Sequence, residues 1–200
     1  MNSTLKWLIP VGILGLIFMT LYSWVTGINN TAVTLQQNCK ESWGNVESSY
    51  QRRNDLIPNI VNAVKGAANF EKSTLTDVIN ARAKATAITI DPSKVTPEQL
   101  EAFQKSQSGV SSALAKLMVS VEKYPDLKAN ENFLRLQTEL EGTENRIKIA
   151  RDRYNEDINP YNVHILTFPN SIIANMFGFK ELPYYKADAG AEKAPVVKFD

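Results

Sequence analysis

The chain has 200 residues, 44% of them hydrophobic, with 22 Lys plus Arg against 21 Asp plus Glu. That length suits one domain with an appendage, and the near-balance of charge argues against a nucleic-acid binder, which would show a concentrated basic footprint. The single Cys39 and single His164 exclude an internal disulfide, a cysteine zinc cluster and a multi-histidine metal site.

The first predicted element is an apolar span. From Trp7 to Ile28, "WLIPVGILGLIFMTLYSWVTGI" carries no charge. A helix of that length crosses a hydrocarbon core of roughly 30 Å at about 1.5 Å per residue. Trp7 stands at one end and Tyr22 and Trp24 at the other, where interfacial aromatic belts form. A cleaved signal peptide is the alternative; it would have a shorter apolar core, roughly 7–15 residues, and a small-residue cleavage site. "SWVTGINN" is a poor cleavage site, so the span is read as an uncleaved anchor. Lys6 precedes it and no Lys or Arg follows until Lys40. The positive-inside rule then keeps the short N-terminus in the cytoplasm and sends the rest across.

Beyond the span, four helical seams are predicted. In the first, Ile28, Ala32, Leu35, Cys39, Trp43, Val46, Tyr50 and Arg53 recur at spacings of three and four, as on a buried helix stripe. Arg53 interrupts the apolar series, and "RRNDLIPNIV" reads as a turn, since the residue before Pro58 is pushed out of helical geometry and Pro suits a first helical turn. The second helix places Ile60, Val61, Val64, Ala68, Leu75, Val78 and Ile79 inward and fades into the two-proline loop "ATAITIDPSKVTPEQL". The third opens on a capping box, with Thr96, Pro97 and Gln99. Its seam is Leu100, Phe103, Gln107, Val110, Leu114, Leu117, Val121 and Tyr124, with Gln107 as a polar member able to fix register. "YPDLK" ends it.

The fourth seam is Phe133, Leu136, Leu140, Thr143, Ile147, Ala150, Tyr154 and Ile158, continuing past Pro160 through Tyr161, Ile165 and Phe168. Glu131 with Arg135, and Glu144 with Lys148, are spaced for helix-stabilising pairs of a few tenths of a kcal/mol, about 0.2–0.5 each. "SIIANMFG" follows as a short helix capped by Asn170 or Ser171 and closed by Gly178. The predicted organisation is a tail (1–6), a transmembrane anchor (7–28), a bundle (29–180) and a polar, flexible C-terminal tail (181–200).

Three stretches carry a family resemblance: "QRRNDLIPNIVNAVKG", "YPDLKANENFLRLQTELEGTENRIKIARDRYN" and "FPNSIIANMFGF". Together with the anchor they resemble the LemA family of bacterial membrane-anchored helical proteins. The resemblance implies a single N-terminal membrane segment and an antiparallel four-helix bundle, in agreement with the four seams. It implies no enzymatic activity. Pro160, in "DINPYN", departs from the helix-compatible residue expected there.

Candidate sites are few. Glu139, Glu141 and Glu144 lack the opposing carboxylate that paired acid/base work needs, and read as a solvated helix face. Asn132, Asn145 and Arg146 are polar beyond what such a face needs and are candidates to bond across helices or to meet a partner. Arg52, Arg53, Asp55 and Pro58 are candidates for a helix-ending turn, with the cations offsetting the helix dipole; phosphate or lipid binding by the arginines is the alternative. His164 reads as a surface or core residue. Cys39 reads as a small apolar residue. A nucleophilic Cys39–His164 pair would need a third, orienting group, and none is evident. With no catalytic, cofactor or metal signature, the chain reads as a non-enzymatic scaffold or interaction protein of the bacterial inner membrane. Its bundle is expected on the extracytoplasmic or periplasmic side, with homo-oligomers, the membrane and other envelope proteins as partners and no nucleic acid. A sensor or signalling adaptor is the alternative.

Overall fold

The computed structural model describes residues 3–66 and 70–186. The fold is all-α, and no strand occurs among the described residues. A long apolar N-terminal helix runs into a helical bundle, as predicted. Among the described residues there are six helices, in order α1 (Ser3–Lys65), α2 (Lys72–Thr86), α3 (Pro97–Val121), α4 (Pro125–Lys128), α5 (Glu131–Leu166) and α6 (Asn170–Met176).

The main departure from the sequence reading lies in α1. No turn forms at "RRNDLIP"; α1 continues for 63 residues and contains Pro58 in its interior. The reason is visible in the spacing. Ile28, Ala32, Cys39, Trp43, Val46, Tyr50, Arg53, Ile57, Ile60 and Val64 are all buried, and the three-and-four rhythm crosses Arg53 and Pro58 unbroken. Burial of that long stripe outweighs the cost of one internal proline, about 3 kcal/mol. The cost is also softened. Pro58 has no N–H to give the carbonyl of Asn54, and Arg82 of α2 donates its Nε–H to that carbonyl at 2.8 Å.

The chain therefore leaves α1 after Lys65, about two to three turns later than the residue types suggested, and α2 is a 15-residue helix. Leu75, Val78 and Ala85 face inward on it, whereas Ile79, expected inside, is exposed. Ala68, another expected inner residue, lies outside the described residues. In the connection to α3, Ile90 and Val95 are buried, and Asp91 accepts the Ser93 N–H at 2.9 Å. This loop is thus pinned by two apolar side chains and a local turn.

The capping box on α3 forms as predicted: Thr96 Oγ1 accepts the Gln99 N–H, and Gln99 Oε1 accepts the Thr96 N–H. α5 passes through Pro160 without ending. Its predicted seam is buried from Phe133 to Ile165, with Leu136 half-buried, but Phe168 is exposed. α6 begins at Asn170 behind Pro169, with no side-chain cap.

α1 and α5 lie antiparallel along the whole bundle. Ile28 meets His164, Cys39 meets Asp157 and Arg53 meets Glu144. α2 lies mainly against α3 and touches α1. Two apolar clusters result. The one nearer the apolar span joins Trp43, Tyr50, Phe103, Tyr154 and Tyr161 with Leu182 and Tyr185. The distal one joins Ile57, Ile60 and Val64 with Val78, Leu114, Leu117 and Phe133.

The beginning of the predicted flexible tail is packed instead. Leu182 and Tyr185 are buried, and two asparagines hold the chain between them. Asn162 donates to the Leu182 carbonyl at 2.8 Å and accepts the Leu182 N–H at 3.0 Å. Asn155 does the same for Tyr185, at 3.0 and 2.8 Å. Each side-chain amide thus copies the paired bonds of a β-ladder. Seven helical residues span about 10.5 Å and three extended ones about 10 Å, so the two registers match. The rest of that tail, residues 187–200, lies outside the described residues.

Candidate functional site

Between the two apolar clusters sits a polar layer centred on Arg53. Its side chain is 1% exposed, on the inner stripe of α1. Nη2 donates to Gln107 Oε1 at 2.6 Å and to the Gln107 carbonyl at 3.2 Å. Nη1 donates to Ser111 Oγ at 2.8 Å and to Glu144 Oε1 at 3.0 Å. One guanidinium therefore joins α1, α3 and α5. Its planar fork suits this task, because its donors are pre-aimed and little further entropy is lost on binding several acceptors.

Thr143 completes the layer, buried, with its hydroxyl bonded to the Glu139 carbonyl. A small hollow of about 90 Å³ opens beside it, lined among others by Arg53, Gln104, Ser108, Ser111, Glu144 and Arg151. Glu144 is 40% exposed, so the ion pair is wet on the acid side and dry on the base side. A buried cation with a half-exposed counterion and three neutral acceptors is a stable cross-brace. It provides no nucleophile, and among the described residues no group of three or more His, Cys, Asp or Glu can hold a metal.

The other singled-out residues are dispersed. Arg52, Asp55 and Pro58 are exposed on α1, where Asp55 accepts from Gln51 one turn earlier. They are not at a helix end, so their predicted role in a turn is replaced by a helix surface. Asn132, Asn145 and Arg146 are exposed on α5. Of the acidic cluster, Glu139 and Glu141 stay on the outside while Glu144 turns inward to Arg53. Ser111 and Glu144 are the members of the layer that sequence reasoning missed. The available signal was Gln107: a polar residue on one seam calls for a polar residue on the facing seam, and Arg53 was that residue.

Cys39 and His164 do not act together. The Cys39 thiol donates to the Asp157 carbonyl at 3.3 Å, and burial pushes its pKa up to about 11, with the nearby Asp157 charge adding to the rise. A thiol held protonated is a poor nucleophile. His164 Nε2 lies 3.0 Å from the Ile28 carbonyl, which can only accept, so this nitrogen carries the proton. Its Nδ1 then faces the Asn170 amide at 3.4 Å.

The chain is similar in sequence to named proteins. The magnetosome protein MamQ 2 of Paramagnetospirillum magneticum is 26% identical over 189 residues, covering 84% of this chain and 68% of that protein. Protein LemA of Metamycoplasma hominis is 25% identical over 194 residues, covering 93% and 85%. Neither is named as an enzyme. The model of the LemA family matches residues 42–199, so the polar layer, the distal apolar cluster, most of the other cluster and α6 fall inside it, and this chain belongs to the LemA family.

Proposed function

We propose that this chain is a single-pass, membrane-anchored, non-enzymatic scaffold of the bacterial envelope that assembles with copies of itself. The observation that carries the reading is α1. One unbroken helix of 63 residues includes the uncharged stretch Trp7 to Ile28 and continues into the distal core. At about 1.5 Å per residue it is about 95 Å long. A bundle so connected cannot swing on a linker; it stands at a fixed angle to its anchor and presents a rigid surface. The anchor side chains agree with a lipid environment: Trp7, Leu14, Leu16, Phe18 and Met19 are all more than 60% exposed. A soluble protein rarely leaves so large an apolar surface uncovered.

Lys6, before the span, favours a cytoplasmic N-terminus and an extracytoplasmic bundle. Self-assembly draws on the anchor, which concentrates copies in two dimensions and raises their effective concentration. Trp43 and Tyr50, on the predicted seam of the first helix, are core residues and do not supply a contact between copies. Val119 and Ile149 are among the exposed apolar positions on the bundle surface.

Crosslinking in native membranes, followed by sizing in mild detergent, tests the assembly. A defined homo-oligomer is expected; monomer alone at normal expression would remove the claim. A Cys introduced at Lys116, in a Cys39→Ala background, should react with a membrane-impermeant thiol reagent in intact cells with any outer membrane permeabilised. Reaction only after inner-membrane lysis would reverse the orientation. The sensor alternative draws on the same unbroken helix, which would carry a shift of the distal core into the membrane. A change of assembly state on adding a small molecule would favour it.

A further inference from the structure

We propose that the end of the bundle next to the apolar span is itself a lipid-contact surface, with Phe168 and α6 lying in the polar–apolar boundary of the bilayer. This rests on the reading of residues 7–28 as a membrane anchor.

Placement comes first. His164 ties the last turns of α5 to the carbonyl of Ile28, at the end of the span, and Asn170 ties the start of α6 to His164. By Lys180 the chain has returned to α5, where Tyr161 donates to its carbonyl at 2.9 Å. α6 is therefore the part of the bundle that closes its anchor end.

Exposure comes second. Phe168 is 76% exposed, Ile172 54% and Met176 76%, at successive intervals of four, and Phe177 is 55% exposed. Their opposite side, Ile173 and Ala174, is buried against the bundle. α6 thus has two apolar faces, and the structure covers one.

Charge comes third and decides the occupant. No Asp, Glu, Lys or Arg occurs between Trp7 and Cys39, or between Ile158 and Phe179. Charges resume at Lys40 on α1, at Asp157 on α5 and at Lys180 in the segment after α6. The Cys39–Asp157 bond sets the first two at one height, and the Tyr161–Lys180 bond sets the third about one turn closer to the anchor. Three separate elements lose their charges at nearly the same level across the bundle. A contact with another protein has no reason to end at one level on three separate elements. A lipid surface does, because a charge moved toward the hydrocarbon is penalised whichever element carries it. An apolar face set into the headgroup boundary is the geometry of interfacial helices. With α1 embedded, this second contact would also fix the tilt of the bundle.

The test uses the full-length protein in phosphatidylcholine–phosphatidylglycerol nanodiscs, with Cys39→Ala and a single new Cys at Met176 carrying an environment-sensitive fluorophore. Ile172→Cys provides an independent second position, and Lys116→Cys, exposed on distal α3, is the aqueous control. At Met176 and Ile172, quenching by doxyl-labelled lipid should be several-fold stronger than at Lys116, and quenching by aqueous iodide several-fold weaker. Labels at Met176 and Ile172 as open to iodide as Lys116 would overturn the inference. Labels shielded from both quenchers would overturn it too, by showing that protein covers the face. Co-elution of protein with lipid reads the anchor separately. Failure to enter the discs removes anchor and inference together, whereas a wet label in a loaded disc removes only the inference.

Discussion

The Arg53 layer makes an asymmetric prediction, because its two charged members differ in access to water. Arg53 is 1% exposed and Glu144 40% exposed. Truncating Glu144 leaves a guanidinium buried with only neutral acceptors: Gln107 Oε1, the Gln107 carbonyl and Ser111. Breaking a buried pair in this way costs about 3–5 kcal/mol. The remaining hydrogen bonds and the adjacent hollow offset part of that, so Glu144→Ala should destabilise by about 2–3 kcal/mol. Arg53→Met removes the buried charge and fills much of its space, while Glu144 rehydrates. What is left is the buried Gln107 side chain without its partner, a cost of about 1–3 kcal/mol. The two losses must not add. Arg53→Met with Glu144→Ala should be no less stable than Arg53→Met alone, because no cation remains to be stranded. The assay is urea unfolding of the full chain in mild detergent, followed by the helical circular-dichroism signal. An exposed salt bridge would instead make Glu144→Ala nearly silent, within about 1 kcal/mol. That result, or strict additivity in the double mutant, would refute the argument that Arg53 depends on Glu144.

Other expectations follow from single features. Leu140→Ala, at a site 7% exposed, should cost about 2–5 kcal/mol and the exposed Glu141→Ala no more than about 0.5, measured by the same unfolding assay. Arg82→Ala should cost about 1 kcal/mol in the natural chain and less in a Pro58→Ala background, where a restored N–H at position 58 can take the Asn54 carbonyl. Cys39 has a folded-state pKa of about 11 against an ordinary value of 9.0, so its proton is bound more tightly in the folded state. The stability linked to it is complete below about pH 9 and is lost as pH rises toward 11; Cys39→Ala should flatten the part of the alkaline fall that begins near pH 9. Intact-mass measurement should find Trp7 to Ile28 still attached, and a chain starting near Asn29 would overturn the anchor.

What the sequence determined by itself was periodic or local. The charge-free run from Trp7 to Ile28, the Thr96–Gln99 capping box and the seam of α5 from Phe133 to Ile165 are each legible because apolar spacing and cap chemistry act over a few residues. The seam of α1 was equally legible, yet Arg53 and Pro58 read as an ending. Local propensity penalises both residues inside a helix seam, and neighbours far along the chain offset the penalty: Gln107, Ser111 and Glu144 accept from the two Nη atoms of Arg53, and Arg82 takes the carbonyl that Pro58 leaves open. The first residues of the tail, 181–186, were misjudged for the same reason. Leu182 and Tyr185 sit in polar sequence with no helical period, and their order comes from Asn155 and Asn162, 20 or more residues earlier. Tertiary structure therefore decided where α1 ends, which polar groups are buried and what the tail packs against. In each case the deciding partner lies on another element, and no local pattern records it.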